Sequence, residues 1–297
     1  MGLLPLRMGR GTGGGSGRGR ARLRPQALAW LRGGAQVAVA AGFFFPLYWL
    51  LVTATGLRGE AYHLPPVLVP RLDFHPLLVV VAAVPWLRYF ANTSGMTLAT
   101  VLCVVGTSAL AGYALAEGRF RGREVVLLAL LGAAMVPEQA LLVPRYLVVH
   151  SLHLLNTYLA EVLPLLLNGF GVLLYRQFFL TLPSSYRDAA RLEGCGEFGY
   201  LRHVALPLGR GITYAVALLA AIAAWNQFQW PLIVTSSRAL QPLEVVLAHF
   251  SQTYQSDWRR MASAILLAAG PLVLFFAFVR RQIMAAVTGD VDSGLAG

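Results

Sequence analysis

The sequence has no lysine; all 24 of its basic residues are arginine. That absence excludes a phosphate loop of the Gly-x4-Gly-Lys-Ser/Thr type and excludes Schiff-base chemistry. If this chain takes part in an ATP-driven process, another subunit must bind the ATP, and no cofactor is expected here. Charge is scarce too, at 12% of residues against 57% hydrophobic, where a soluble domain carries about 25%. Cysteine is limited to Cys103, in an apolar run, and Cys195, in a polar loop, so no disulfide framework is implied. His150 and His153 have helical spacing, but no nearby cysteine or carboxylate completes a set of metal ligands, and no metal is expected. No nucleophile–base arrangement is present, which leaves a membrane-embedded enzyme without a catalytic constellation.

What is abundant is apolar sequence in long runs. A bilayer-spanning helix needs about 20 apolar residues, and six stretches approach that: 35–53, 97–116, 125–143 with an interruption at Pro137, 155–174, 212–234 and 262–279. The expected fold is all-α, a polytopic membrane protein with six transmembrane helices over 35–281. The apolar stretch 76–86 is too short to cross and reads as interfacial. Ala38-Val39-Ala40 precedes most of the first run, whereas a signal-peptide cleavage site follows one, so the run reads as an uncleaved anchor. Residues 1–34 form a Gly/Arg-rich tail that cannot bury enough apolar surface to order itself. It lacks aromatic residues for base stacking, so it reads as a disordered cytoplasmic tail near anionic lipid and not as a nucleic-acid arm. Residues 282–297 make a second short tail.

Six spans put both termini on one side. Placing them in the cytoplasm with the 117–123 and 184–208 loops leaves 17 arginines inside and 7 outside. Arginine accumulates on the cytoplasmic side of membrane proteins, which favours this orientation in a bacterial or archaeal plasma membrane.

The 184–208 loop is the longest charge-bearing segment between two apolar spans. It reads as two short helices joined by a sharp turn. Ser185 and Asp188 have capping-box spacing for the first helix. Gly194 would end it, because a residue without Cβ enters the left-handed conformation without strain. In the second, Phe198, Leu201 and Ala205 fall on one face, and Pro207, lacking an N–H, would stop it.

As spacing, this loop is Asp188-Ala189-Ala190, three residues, Gly194, nine residues, Val204, one residue, Leu206-Pro207. It closely resembles the Glu-Ala-Ala-x3-Gly-x9-Ile-x-Leu-Pro motif of the membrane permease subunits of ABC importers. Asp188 and Val204 depart from the motif but keep its chemical type. Arg88-Tyr89-Phe90-x-Asn92, Tyr113-Ala114-Leu115-Ala116 with Phe120-Arg121-Gly122-Arg123, Leu155-Asn156-Thr157 and Trp225-Asn226 resemble segments of the carbohydrate-type branch, the maltose and glycerol-phosphate permeases. The likeness covers about residues 85 to 285. The C-terminus ends differently from relatives that finish in Gly-Ala-Val-Lys-Gly.

The resemblance implies a transport subunit that carries no ATPase site. Its partners would be a second permease, two ABC ATPase subunits and an extracytoplasmic solute-binding protein. Asp188, Ala189, Ala190, Gly194, Leu206 and Pro207 would then couple ATPase closure to alternating access, for a sugar, oligosaccharide or polyol phosphate. Small alanines let a partner approach closely, and a compact helix pair transmits motion as a unit. Asn168, Trp225, Asn226 and Gln227 are the substrate-pathway candidates, since neutral amides bind hydroxyls without a buried charge; each amide could equally be interhelical glue. Glu138 and Glu161 are ionisable groups in or near spans, suited to function or to an outer interface. Trp225, Trp230 and Trp258 read as interface anchors. The alternatives are an ABC permease for a non-sugar solute and a secondary transporter, which would need no docking loop and usually shows an internal repeat.

Overall fold

The computed structural model describes residues 25–60, 65, 67–254 and 257–273, with side chains from residue 33 onward. The expectations for residues 1–24, for the tail at 282–297 and for the end of the sixth run lie outside these residues. Every regular element among them is helical. The chain divides after Tyr48. The first unit contributes most of α1, Pro25–Ala54, an unbroken helix that contains Pro46.

The second unit is organised around α3, Trp86–Glu117, the longest helix. Pro85 stands at its N-terminal cap and Gly118 at its C-terminal cap. Its main partners are α7, Gly169–Thr181, and α11, Arg210–Trp225. Small residues make the α3–α7 approach possible, as is common where membrane helices pack. A Cβ on Gly112 would lie 2.7 Å from the Tyr175 Cβ and 2.9 Å from the Arg176 nitrogen, and one on Gly171 would lie 2.6 Å from the Ser108 Oγ. Tyr175 is fully buried, and its hydroxyl donates to Thr213 Oγ1 at 2.9 Å, tying α7 to α11.

Two helices are long and apolar enough, by length and composition, to cross a bilayer, Gly33–Ala54 and Trp86–Glu117. Three further pairs pass only if each bent pair counts as one span, which gives up to five among the described residues. The expected run 125–143 is not one helix. It becomes α4, Arg123–Ala134, and a second limb of the 3-10 turn Glu138–Leu141 and α5, Leu142–Ser151, set at 100° to the first. Pro137 between them has no N–H to continue the ladder. The run 155–174 splits into α6, Tyr158–Val162, with the 3-10 turn Leu163–Leu165, and α7, bent by 46°.

The run 212–234 is also broken. α11 ends at Trp225, and α12, Gln229–Val234, begins after three residues. Asn226 turns its side chain back to donate to the Ile222 carbonyl at 2.8 Å, and a continuous helix would set Pro231 against the carbonyl four residues earlier. α2, His75–Ala83, is a nine-residue element, the short apolar stretch expected there. α13, Leu243–Thr253, and α14, residues 258–273, complete the chain as described.

The N-terminal end of α3 is knitted by neutral polar groups. Asn92 Nδ2 donates to the carbonyls of Ala239 and Gln241 at 2.9 and 3.0 Å, and its Oδ1 accepts from the Tyr158 hydroxyl at 2.9 Å. Asn156, at φ +60, accepts at Oδ1 from the Ser236 and Ser237 nitrogens at 2.7 and 2.9 Å.

Candidate functional site

The Ser184–Leu208 loop sits at the C-terminal end of α3. α8 runs Ser184–Leu192 and α9 Glu197–Tyr200; a π-helical stretch, Leu201–Ala205, then leads into α10, Leu206–Leu208. Gly194 is at φ +81. The Cys195 nitrogen donates to the Ala190 carbonyl at 2.9 Å and the Gly194 nitrogen to that of Arg191 at 3.0 Å. This is the paired hydrogen-bond pattern of a Schellman turn, with glycine at its left-handed position.

The capping box does not form. Pro183 occupies the cap position of α8 without a side-chain hydrogen bond, and Ser185 falls inside the helix. Pro183, with its fixed φ, starts the helix one residue before the expected cap. Pro207 does not stop the second helix either, because Glu197–Leu208 runs through it as one helical limb. The preceding π-helical stretch absorbs the change of hydrogen-bond spacing. The turn comes two residues later, at Gly209, and α11 leaves at 83° to the Glu197–Leu208 limb. A Cβ on Gly209 would stand 2.6 Å from the Phe178 ring, so close approach, not a positive φ, calls for glycine there. Phe198 also departs from the expected face. It is 66% exposed while Leu201 and Ala205 are buried.

The motif's two alanines point opposite ways. Ala190 is 5% exposed and packs with Tyr200, Leu201, Ala205 and Phe179. Ala189 and Asp188 face outward, as do Leu192 and Phe198. Leu206 packs partly against the same cluster, and Pro207 is exposed.

Charged and aromatic pairs hold the loop to α3. Arg187 pairs with Glu117, the last residue of α3, and its guanidinium lies 5.8 Å from the Tyr200 ring centre. Arg191 Nη2 donates to Glu197 Oε1 at 2.7 Å, and the Tyr113 hydroxyl donates to the other carboxylate oxygen. The bond from Arg191, then that from Tyr113, holds the Glu197 carboxyl below the usual carboxylate range. In this region Asp188–Ala190, Gly194, Leu206 and Pro207 stood out in the sequence, and Tyr113 only as part of a resemblance. Arg187, Arg191 and Glu197 were visible as charges beside the motif, but nothing local assigned their partners on α3.

The four substrate-pathway residues do not converge. Asn168 caps α7, its Oδ1 accepting from the Gly171 nitrogen at 2.8 Å. Trp225 and Asn226 line a groove of about 460 Å³ with Phe228, Glu244, Ser251 and Met261. Gln227 lines a separate cavity of about 20 Å³ with Thr93, Thr100, Glu161 and Trp230, room for about one water. Glu161 is buried, not interfacial, and accepts from Thr235 Oγ1 at 2.5 Å. Glu138 is exposed and pairs with Arg145 at 3.1 Å. Trp230 is no interface anchor: it is 3% exposed and its indole donates to the Ala160 carbonyl at 2.9 Å. Glu244 was missed in the sequence, although a lone carboxylate in the apolar stretch Leu243–Leu247 was the available signal. Both cysteines are free, and no group of three His, Cys, Asp or Glu side chains capable of holding a metal occurs among the described residues.

Comparison with known proteins places this geometry. Residues 29–289 match the family described as binding-protein-dependent transport system inner membrane component. The chain is 32% identical over 217 residues to the arabinooligosaccharides transport system permease protein AraQ of Halalkalibacterium halodurans, covering 73% of this chain and 77% of that one. It is 28% identical to the sn-glycerol-3-phosphate transport system permease protein UgpE of Escherichia coli, covering 85% and 92% respectively. The fold superposes with a TM-score of 0.73, at 20% identity, on a chain in the crystal structure of a bacterial ABC transporter involved in the import of the acidic polysaccharide alginate, covering 86% of this chain and 96% of that one.

Proposed function

Because the chain belongs to the family of binding-protein-dependent transport system inner membrane components, the permease subunits of ABC importers, we propose that Ser184–Leu208 is its coupling element and that its cargo is a sugar or sugar-like solute. In this reading α8 and α9 enter a cleft of a partner ATPase. ATP-driven closure moves them and switches the path between inward- and outward-facing states. ATP is bound and hydrolysed by the two ATPase subunits and not by this chain. A second permease, identical or homologous, completes the path, and an extracytoplasmic binding protein delivers the solute. Six spans, with both termini and the loop in the cytoplasm, satisfy this arrangement.

The observation that carries the reading is the division of labour across α8. The inward side, Ala190 with Arg187, is fastened to the bundle through Tyr200, Glu117 and the core around Phe179. The outward side presents Ala189, Leu192 at 91% exposure and Phe198. Large apolar side chains left in water on a charged helix pair mark a protein contact, and fastening makes the pair a lever instead of a tether. The names of relatives that carry arabinooligosaccharides, lactose and diacetylchitobiose support the cargo class.

Single cysteines at Ser184 and Thr253, in a chain freed of Cys103 and Cys195, test the orientation. The first should react with an impermeant thiol reagent only from the cytoplasmic side, the second only from outside. The reverse pattern would overturn the reading, since a loop outside the cell cannot meet an ATPase. Leu192→Cys should also cross-link to a cysteine-bearing ATPase partner in the assembled transporter.

A further inference from the structure

Among the described residues the groove at the α11–α12 break has one charged lining residue, Glu244, in the first turn of α13. Glu244 is half-buried and makes no hydrogen bond or ion pair among the described residues. A carboxylate turned toward acyl chains is expensive, and intramembrane carboxylates face a partner or water; this one has no partner among the described residues. A groove of about 460 Å³ has room for the water that such a carboxylate calls for. Much of the lining is apolar, Leu247, Ile265 and Leu272 included, and its few polar groups are suited to a polyhydroxylated solute. Trp225 offers an indole face for apolar C–H groups. Asn226 spends its Nδ2 on the Ile222 carbonyl and keeps Oδ1 available to accept. The Ser251 hydroxyl donates to the Ala248 carbonyl at 2.7 Å and keeps its lone pairs to accept, and a carboxylate accepts from two adjacent hydroxyls at once.

Among the described residues no arginine or histidine lines the groove. A phosphate ester or a uronate would therefore meet a like charge with nothing to offset it, in surroundings where charges act strongly. We propose that Glu244 is a specificity-determining residue, and that it restricts this permease to uncharged polyhydroxylated solutes by rejecting anions from the groove formed with Trp225, Asn226 and Ser251. The proposal rests on the reading of the chain as a sugar permease and narrows its cargo.

The test reads the potential in the groove without knowing the solute. In the full chain, in membranes with its partner subunits and with Cys103 and Cys195 replaced by serine, Ala248→Cys places a thiol one helical turn from Glu244. Its reaction rates with a trimethylammonium-bearing and a sulfonate-bearing methanethiosulfonate give a cation-to-anion ratio. Glu244→Gln should lower that ratio about tenfold or more, and Glu244→Asp, which keeps the charge, should leave it nearly unchanged. Protection of the thiol from both reagents would overturn the proposal, because the groove would not hold water. So would a ratio indifferent to Glu244→Gln. Uptake of glycerol phosphate or galacturonate by the parent transporter would overturn the restriction and leave the permease assignment intact. Failure to import any sugar, with the ratio behaving as expected, would overturn the cargo class instead.

Discussion

The two ends of α3 are fastened by different chemistry. At its C-terminal end the 184–208 loop is held by the Arg187–Glu117 pair, the Arg191–Glu197 bond and the Tyr113 hydroxyl on Glu197. At its N-terminal end Asn92 ties α3 to the 239–241 backbone and to Tyr158, and Asn156 ties the 154–157 turn to 236–237. The Arg191–Glu197 pair, more than half exposed, is worth only about 0–1 kcal/mol and exchanges readily with solvent, whereas the Arg187–Glu117 pair is mostly buried. A buried amide that satisfies several backbone groups is expensive to disturb. The N-terminal end is therefore a frame centred on buried Asn92, and the C-terminal end is a stiff piece whose seat adds charged contacts to the apolar packing of Ala190, Tyr200 and Leu201. That difference suits a lever.

The sharpest way to break the comparison is at Gly194. Its left-handed φ of +81 sets the angle between α8 and α9, and a Cβ there would meet open space. Gly194→Val therefore costs only the strain of that conformation, roughly 1–2 kcal/mol, and the chain should still insert and fold. Transport should be nearly abolished, through poor assembly or through ATP hydrolysis that no longer responds to the loaded binding protein. Normal uptake at normal membrane abundance would sink the coupling role of the loop.

The frame should respond in the opposite way. Asn92→Ala leaves two carbonyls and the Tyr158 hydroxyl without their partner, in surroundings where Asn92 itself is 7% exposed. The expected loss is about 1–3 kcal/mol of stability, read as a lower melting temperature of the purified complex. Coupling should survive in the molecules that remain folded. A variant that melts normally yet uncouples hydrolysis from transport would erase the distinction between the ends.

How far each end was legible in the sequence follows the same division. The turn at Gly194 was readable because its constraint is local: Gly194 must take a positive φ, and the spacing from Asp188 to Pro207 lies in one contiguous stretch. Its seat was not, because Arg187 meets Glu117 and Tyr113 meets Glu197 across 70 and 84 residues of chain respectively. Asn156 was readable only as part of a resemblance; its job, accepting from two nitrogens 80 and 81 residues on, is a tertiary fact. Span lengths misled for a related reason. Hydropathy reports what is apolar, whereas Pro137, Asn226 and Pro231 decide where a helix can continue.

The two alanines sharpen the comparison within the loop itself. Ala190→Leu forces extra methylenes against Tyr200 and Phe179 and should cost about 1–3 kcal/mol, by overpacking. Ala189→Leu adds the same volume on the outward side and should leave melting within about 0.5 kcal/mol of the parent, while weakening co-purification with the ATPase. Equal effects of the two substitutions on melting would mean that α8 has no inward and outward side.

The smallest expected effect concerns pH and separates the two ends most cleanly. Glu197 has a depressed carboxyl because Arg191 and Tyr113 donate to its ionised form. A depressed folded-state value means that the contribution is fully present above the unfolded value of about 4.3 and fades as pH falls through the folded one. The seat should therefore be indifferent to pH between about 7.5 and 5.5 and loosen only near or below about 4. Because Glu197 is more than half exposed, solvent screening keeps the effect modest. Hydrogen exchange over residues 186–200, corrected for intrinsic rates, reports it. The turns around Asn92 and Asn156, held by amides that do not titrate, serve as the internal reference and should stay protected throughout. Glu197→Gln keeps the shape but not the charge, so at neutral pH it should already show the protection that the parent shows in acid. Loosening of the parent between pH 7.5 and 5.5, or a Glu197→Gln variant as protected as the parent at neutral pH, would show that the seat does not depend on this carboxylate.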